Sequence, residues 1–387
     1  MIAQPGVTLD VAVIGAGPVG LFLGLALAQE GIEVAVFERR PERRGGSRSI
    51  GVHPPSLELL DELGLAERFL ARGVKVERGH AFDEAGACGV IEFARCPGRH
   101  RYVLAIPQEE TEDILRTALE ERAPGALRTA AFVGADERGG DVALRVRTPE
   151  GERVEHRARV LNGCDGKHSA VRTALGIAYD GAAYPGCYTM GDFPDGTSFG
   201  SDAAVYLGRA GLVESFPLPR GWRRWVARCP DDRDPDLAAL IARVESRTGH
   251  HLDPATAVRP SAFRAERFRA RELARGRIAL AGDAAHVVSP IGGQGMNLGW
   301  LGARTLATTI ATCFRTGSDP TRALAADGVR RARLARATAR RAELNMWLGR
   351  PAPDTAPRDR LVRGLLRPPV SDLVARVFTM RGLALGV

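Results

Sequence analysis

Six residues near the amino terminus, Gly15-Ala16-Gly17-Pro18-Val19-Gly20, have the types and spacing of a phosphate cradle. They follow a short apolar run, Leu9 to Ile14, and precede Leu21 to Gln29 at helical spacing, with a second apolar run, Glu33 to Phe37, beyond. Strand, tight turn, helix and strand make one βαβ unit, the context in which a Gly-x-Gly-x-x-Gly pattern carries meaning. Gly15 permits the turn, Gly17 lets the backbone approach a pyrophosphate, and Gly20 allows close helix–strand packing. Pro18 and Val19 open the helix, whose free N–H groups and positive end would face the phosphates. Glu38, followed by Arg39, closes the second strand where an acidic side chain meets a ribose hydroxyl, which favours an adenosine ribose without a 2′-phosphate. NAD and FAD both satisfy these residues.

A second chemical segment lies near the other end. A buried strand, Arg277 to Ala281, precedes Gly282-Asp283, and a long helix begins near Gly295. Asp283 can accept hydrogen bonds from a polyol chain, or cap a helix. The loop Pro290 to Gly295, with only Ile291 and Gln294 bulky, lets backbone amides approach a planar ring. A helix starting there aims its positive end at that ring, worth on the order of 1 kcal/mol for an anionic one.

Val160 to Arg172 reads Val-Leu-Asn-Gly-Cys-Asp-Gly-Lys-His-Ser-Ala-Val-Arg, and Ala279 to Asn297 reads Ala-Leu-Ala-Gly-Asp-Ala-Ala-His-Val-Val-Ser-Pro-Ile-Gly-Gly-Gln-Gly-Met-Asn. With the first glycine motif, these make the chain resemble the flavoprotein aromatic hydroxylases of the p-hydroxybenzoate hydroxylase type, the class A flavoprotein monooxygenases, over most of residues 8 to 310. Asp165, Gly166, Ser169, Val171 and Arg172 match the family's Asp-Gly motif, and Gly282, Asp283, Pro290, Gly292, Gly293, Gly295, Met296 and Asn297 its second flavin motif. The resemblance implies FAD as cofactor. It adds Arg48, near the pyrophosphate or the moving flavin, and Gln108 as an FAD contact. Arg48, Pro290 and Gly292 are then expected closest to the chemistry. The cofactor set is Gly15, Gly17, Pro18, Val19, Gly20, Glu38, Arg39, Arg48, Gln108, Asp165, Gly282, Asp283, Pro290, Gly293, Gly295, Met296 and Asn297.

The activity implied is hydroxylation of a phenolic, quinone, quinolone or polyketide-type aromatic through a flavin hydroperoxide, with NADPH or NADH as a transient co-substrate. A non-oxygenating FAD-dependent reductase or dehydrogenase of the same fold is the alternative. One departure is Gly302, where the family often carries Asp. Another is that the chain is expected to lack the thioredoxin-like C-terminal domain of larger members.

The elements that must position these residues give an α/β fold: a Rossmann-like FAD-binding domain, an inserted β-sheet substrate domain and a helical C-terminal tail. The expected FAD-binding domain is discontinuous, 1–74, 108–175 and 269–320, with a substrate domain at 75–107 and 176–268 and helices over 321–387. Tyr102, Phe193, Tyr206, Phe216, Trp222 and Trp225 are aromatic candidates for the pocket, with a core role as the bland alternative. The tail from Arg358 to Leu385 is Leu/Arg amphipathic, expected to pack on the body rather than lie on a membrane.

Composition limits the other classes. At 387 residues the chain is long enough for two lobes with a pocket between them. Its net charge of +8 comes almost wholly from arginine, Lys75 and Lys167 being the only lysines, and no basic cluster interleaves with aromatics, so no nucleic acid is expected. No window approaches 18 uncharged apolar residues, so no stable membrane insertion is expected. Six cysteines without paired spacing, and no basic and apolar leader over Met1 to Asp10, point to reduced thiols in a cytoplasm. His250-His251 lacks a third ligand at metal spacing and is expected on the surface, and His286 reads as structural rather than as a base. With no metal, triad or paired-cysteine constellation, the hard chemistry falls to the cofactor.

Overall fold

The computed structural model describes residues 8–40, 49–229 and 236–381. The strand Thr8–Ile14, helix α1 (Pro18–Gln29) and the strand Val34–Glu38 form the expected βαβ unit, with Val11 to Ile14 paired in parallel to Val34 to Phe37. Alternation along the first strand divides two cores: Val11 and Val13 pack among the helices, whereas Ala12 and Ile14 pack on the opposite face. Helix α1 is apolar on all sides and buried from Gly20 to Leu27, as a helix enclosed between a sheet and other helices must be.

Helices α2 (Pro54–Glu62), α3 (Ala66–Leu70) and α4 (Gln108–Arg122) follow, and α5 (Ala170–Ala174) comes after the strand Arg153–Gly163. That strand does two jobs. Its alternating first half pairs antiparallel with Asp141–Arg147, and its apolar second half pairs in parallel with Thr8–Ile14 and Ile278–Leu280, which delivers Asp165-Gly166 to the end of the first glycine turn. A small sheet of Gly51–Val52, Val103–Ala105 and Val74–Val76 sits beside this domain.

The other large sheet has seven strands, in the order Val258–Phe263, Cys187–Pro194, Trp222–Cys229, Gly211–Leu218, Ala203–Gly208, Arg78–Asp83 and Gly86–Glu92. Two separate stretches of chain build it, joined where Ala203–Gly208 pairs in parallel with Arg78–Asp83. Helix α6 (Leu237–Thr248) covers one face, burying Phe193, Val213 and Trp225. The other face carries Tyr188, Met190 and Val226 and meets the rest of the molecule.

Helices α7 (Gln294–Thr316) and α8 (Pro320–Leu348) tie the lobes together. With 29 residues, α8 runs about 43 Å, from Leu324 in the helical core to Met346 and Leu348 under the seven-stranded sheet. The tail forms α9 (Ala356–Leu365) and α10 (Val370–Phe378), which bury Val362 and Ala375 on the body and expose Leu361 and Leu373. Among the described residues no helix is long and apolar enough to cross a membrane.

Candidate functional site

Gly15 turns with φ +102, a conformation open to glycine, and a Cβ there would lie 2.5 Å from the carbonyl oxygen of Cys164. A Cβ on Gly20 would lie 1.9 Å from the carbonyl oxygen of Gly15, so helix and turn are in backbone contact. A Cβ on Gly17 would meet nothing within 4 Å, and Gly17 caps α1 without any side-chain hydrogen bond. Free first-turn N–H groups and open space above them are what a pyrophosphate needs. Glu38 stands at the rim, its carboxylate accepting the N–H of Ala16 at 2.9 Å and that of Arg40 at 3.1 Å, with Arg39 exposed beside it.

Val19 is a packing residue. It fills the space over Gly282, where a Cβ would come within 3.1 Å of it, and over Gly299, where the distance would be 2.5 Å. The indole of Trp300, fully buried and stacked 5.8 Å from Phe22, donates to the carbonyl of Pro18 at 3.0 Å. The first glycine motif is thus clamped onto the start of α7. Asp165 is otherwise engaged: it accepts from the Ser169 hydroxyl at 2.5 Å and the amides of Ala170 and Val171 at 2.7 and 3.1 Å, so its carboxylate caps α5 and its backbone abuts Gly15. Asp283 is exposed, and its carbonyl accepts from Tyr179. Gln108 begins α4 and donates to Glu112 at 2.8 Å. Arg48 lies outside the described residues.

The loop from Pro290 makes a tight glycine turn, Gly292 at φ +94 and Gly293 at φ +66, before α7 starts at Gln294. Gly293 caps α7 with no side-chain bond, so this helix also presents unpaired N–H groups. Gln294 is buried with its Oε1 unpartnered, a Cβ on Gly295 would meet Val288 at ordinary contact distance, and Met296 packs on the helical core. Asn297 is fully buried. Its Oδ1 accepts the backbone N–H of His53 at 2.8 Å, while its Nδ2 donates to the carbonyls of Gly51 and Gly293 at 2.9 and 2.8 Å.

His53, absent from the sequence reading, closes the link, its Nε2 lying 3.1 Å from the carbonyl of Gly292. Burial holds this imidazole down to about 4, against a partial lift from that carbonyl, and its Nδ1 has no partner. His53 precedes Pro54-Pro55, a local signal for a helix start that says nothing of where the ring goes. Asn297 ends the quoted motif and Trp300 lies just past it, but His53 and Pro18, the distant partners of their side chains, lie more than 240 residues away. His286 is buried and held down to about 4 chiefly by burial, with Arg331 adding to the effect, so it is neutral in ordinary solution. His250 is half-buried rather than on the surface, with its Nε2 3.2 Å from the Tyr206 hydroxyl and its ring 5.4 Å from Trp225, whereas His251 is exposed. Phe193, Tyr206 and Trp225 take the core alternative under α6.

Gly302 has Arg331 of α8 against it, 3.3 Å from a built Cβ. Arg331 is held by Asp327 at 2.5 Å and by the carbonyl of Leu280 at 2.6 Å, all deeply buried.

Two uncapped helix starts, an open cradle at Gly17, a turn that needs glycine and the orphaned Oε1 of Gln294 fit a dinucleotide carrying a planar ring. Gly17 and α1 would hold the pyrophosphate, and Gly292, Gly293 and the start of α7 would lie against the ring.

Comparison with known proteins agrees. The family model described as "FAD binding domain" matches residues 8–342. The chain is 33% identical over 331 residues to a 12-dehydrotetracycline 5-monooxygenase/anhydrotetracycline 6-monooxygenase of Streptomyces rimosus, covering 80% of this chain and 64% of that protein. It is 29% identical over 336 residues to a pentachlorophenol 4-monooxygenase of Sphingobium chlorophenolicum, covering 82% and 61%. The matched stretch therefore spans less than two thirds of those relatives. The crystal structure of p-nitrophenol 4-monooxygenase from Pseudomonas putida DLL-E4 superposes with a TM-score of 0.84 at 23% identity, covering 97% of each chain, which shows a shared fold. Motifs, geometry and the family model converge: the chain belongs to the FAD binding domain family.

Proposed function

We propose that the protein is a monooxygenase that uses FAD, NADPH or NADH, and O2 to hydroxylate a small aromatic molecule of phenolic, quinone, quinolone or polyketide type. The observation that carries this reading is one apolar cluster that joins Ile291, within the glycine turn, to Tyr188, Met190, Val226 and Phe263 on the face of the seven-stranded sheet turned away from α6. Such a wall beside the turn suits a flat apolar ring and keeps water from the reacting atoms. The relatives named for tetracycline-type and chlorinated phenol substrates support the same class.

The redox chemistry, hydride acceptance from a nicotinamide and activation of O2, is supplied by FAD when bound. The chain's own residues bind and orient. The amides at Gly17 and α1 hold phosphate, those at Gly293 and α7 bring positive potential to the ring, and the His53–Asn297 link fixes the loop between them. No acid or base need be charged there, in keeping with the neutral imidazoles of His53 and His286. With no second glycine fingerprint in the sequence, the nicotinamide would bind transiently. A cytoplasmic setting fits six cysteines of which none is in a disulfide.

The test is NADPH oxidation and oxygen uptake by the FAD-loaded protein across a panel of phenols, quinones and polycyclic polyketide aromatics. At least one should accelerate both and yield a hydroxylated product. NADPH oxidation with no oxygen uptake would favour the non-oxygenating reductase instead.

A further inference from the structure

Glu214 lies in the middle of the strand Gly211–Leu218 and is only 7% exposed. Its register neighbours are Val205 on one side and Val226 on the other. Strand alternation places all three on the sheet face opposite α6, and both valines belong to the apolar cluster that contains Ile291 of the glycine turn. Glu214 has no hydrogen-bond or ion-pair partner among the described residues, and burial alone pushes its carboxyl up to about 7. An unpaired carboxyl in an apolar wall is a cost to folding, and its compensation is sought in a ligand.

None of the charged and polar groups around it bonds to it. On the same face Arg224 is locked onto Asp192 by two bonds of 2.6 and 2.8 Å. Arg228 reaches the carbonyl of Pro185 at 2.9 Å and keeps two buried nitrogens unpartnered. The Tyr188 hydroxyl donates to Met346 on α8 at 3.4 Å and is raised by burial, with Arg228 lowering it and Glu214 raising it further. Asp83 pairs with Arg363 of α9 and accepts from Cys88 at the far strands. From the glycine turn comes apolar Ile291, and beyond it neutral His53.

From this placement, and resting on the monooxygenase reading, we infer that Glu214 is a substrate-contacting residue that accepts a hydrogen bond from a hydroxyl of a neutral aromatic substrate and disfavours aromatic carboxylates. A carboxylate ligand would set two like charges in a desolvated space, whereas a hydroxyl supplies the missing donor.

A matched pair of probes, 2-naphthol and 2-naphthoate, tests this by perturbation of the flavin absorbance of the FAD-loaded protein at about pH 8, in wild type, Glu214→Gln and Glu214→Leu. Wild type should bind the naphthol at least about tenfold more tightly than the naphthoate. Both variants should shrink that ratio to within about threefold, Leu by losing naphthol affinity. Both should also melt at higher temperature than wild type, because a buried carboxyl has been removed; Arg228→Met, in contrast, should leave the ratio in place. An equal or reversed preference in wild type, an unchanged ratio in both variants, or a lowered melting temperature in both would overturn the assignment. The binding ratio is read without turnover, so peroxide as the only product with every aromatic would count against the monooxygenase reading and leave this one standing.

Discussion

Asn297 and His53 are held together at both ends of one short circuit: the Asn297 side chain accepts the His53 backbone N–H at 2.8 Å, and the His53 ring reaches the Gly292 carbonyl, five residues before Asn297, at 3.1 Å. The circuit sets the turn between the two lobes. Asn297→Ala leaves the N–H of His53 and two carbonyls without their partner in a buried place, a loss of about 2–4 kcal/mol by the usual cost of unpaired groups. We expect a lower melting temperature and FAD that is lost on gel filtration. Asn297→Asp keeps the acceptor but not the donors and should fall between.

Gly17 and Gly20 separate cofactor binding from folding. Gly20→Ala drives a Cβ into the Gly15 carbonyl and should destabilise the apoprotein severely. Gly17→Ala meets no protein atom, and φ there is −73, so the apoprotein should lose no more than about 1 kcal/mol, the cost of Ala at an N-cap, while FAD binds at least about tenfold more weakly. Thermal unfolding of both apoproteins with FAD titration checks this pair.

That contrast also marks what could be read from the sequence. The roles of Gly15, Gly17 and Gly20 follow from strand, turn and helix context, and the structure repeats them in backbone distances. Contacts that join distant segments are another matter. Nothing local at His53 foretells the Gly292 carbonyl, and nothing at Asp165 tells whether its oxygens face a cofactor or, as here, cap α5. The face that a strand residue takes depends on sheet register, so Trp225 and Tyr206 went under α6 while Tyr188, Met190 and Glu214 lie on the opposite face.

Acid stability should follow the buried imidazoles. Unfolded, His53 and His286 take up protons below about pH 6.5; folded, only below about 4. Acidification through that window favours the unfolded chain by on the order of 3 kcal/mol for each. Glu214 acts in the opposite sense: its folded carboxyl binds a proton below about 7 and its unfolded one below about 4.5, so its contribution improves as pH falls and is lost as pH rises through 7. Glu214→Gln should therefore be more stable than wild type at pH 8 and lose stability more steeply between pH 7 and 5. Chemical denaturation at these pH values gives the slopes.

The buried pair Asp327–Arg331 should behave as a charge that cannot be left alone. Asp327→Ala should cost about 3–5 kcal/mol. Adding Gly302→Asp, next to the Arg331 side chain, should recover part of that loss, and a double-mutant cycle measures the coupling.

The most direct test of the monooxygenase reading is turnover under 18O2 with an aromatic that stimulates NADPH oxidation. The reading predicts one labelled oxygen atom in the new hydroxyl group of the product. Unlabelled product, or hydrogen peroxide alone with every aromatic, would contradict it.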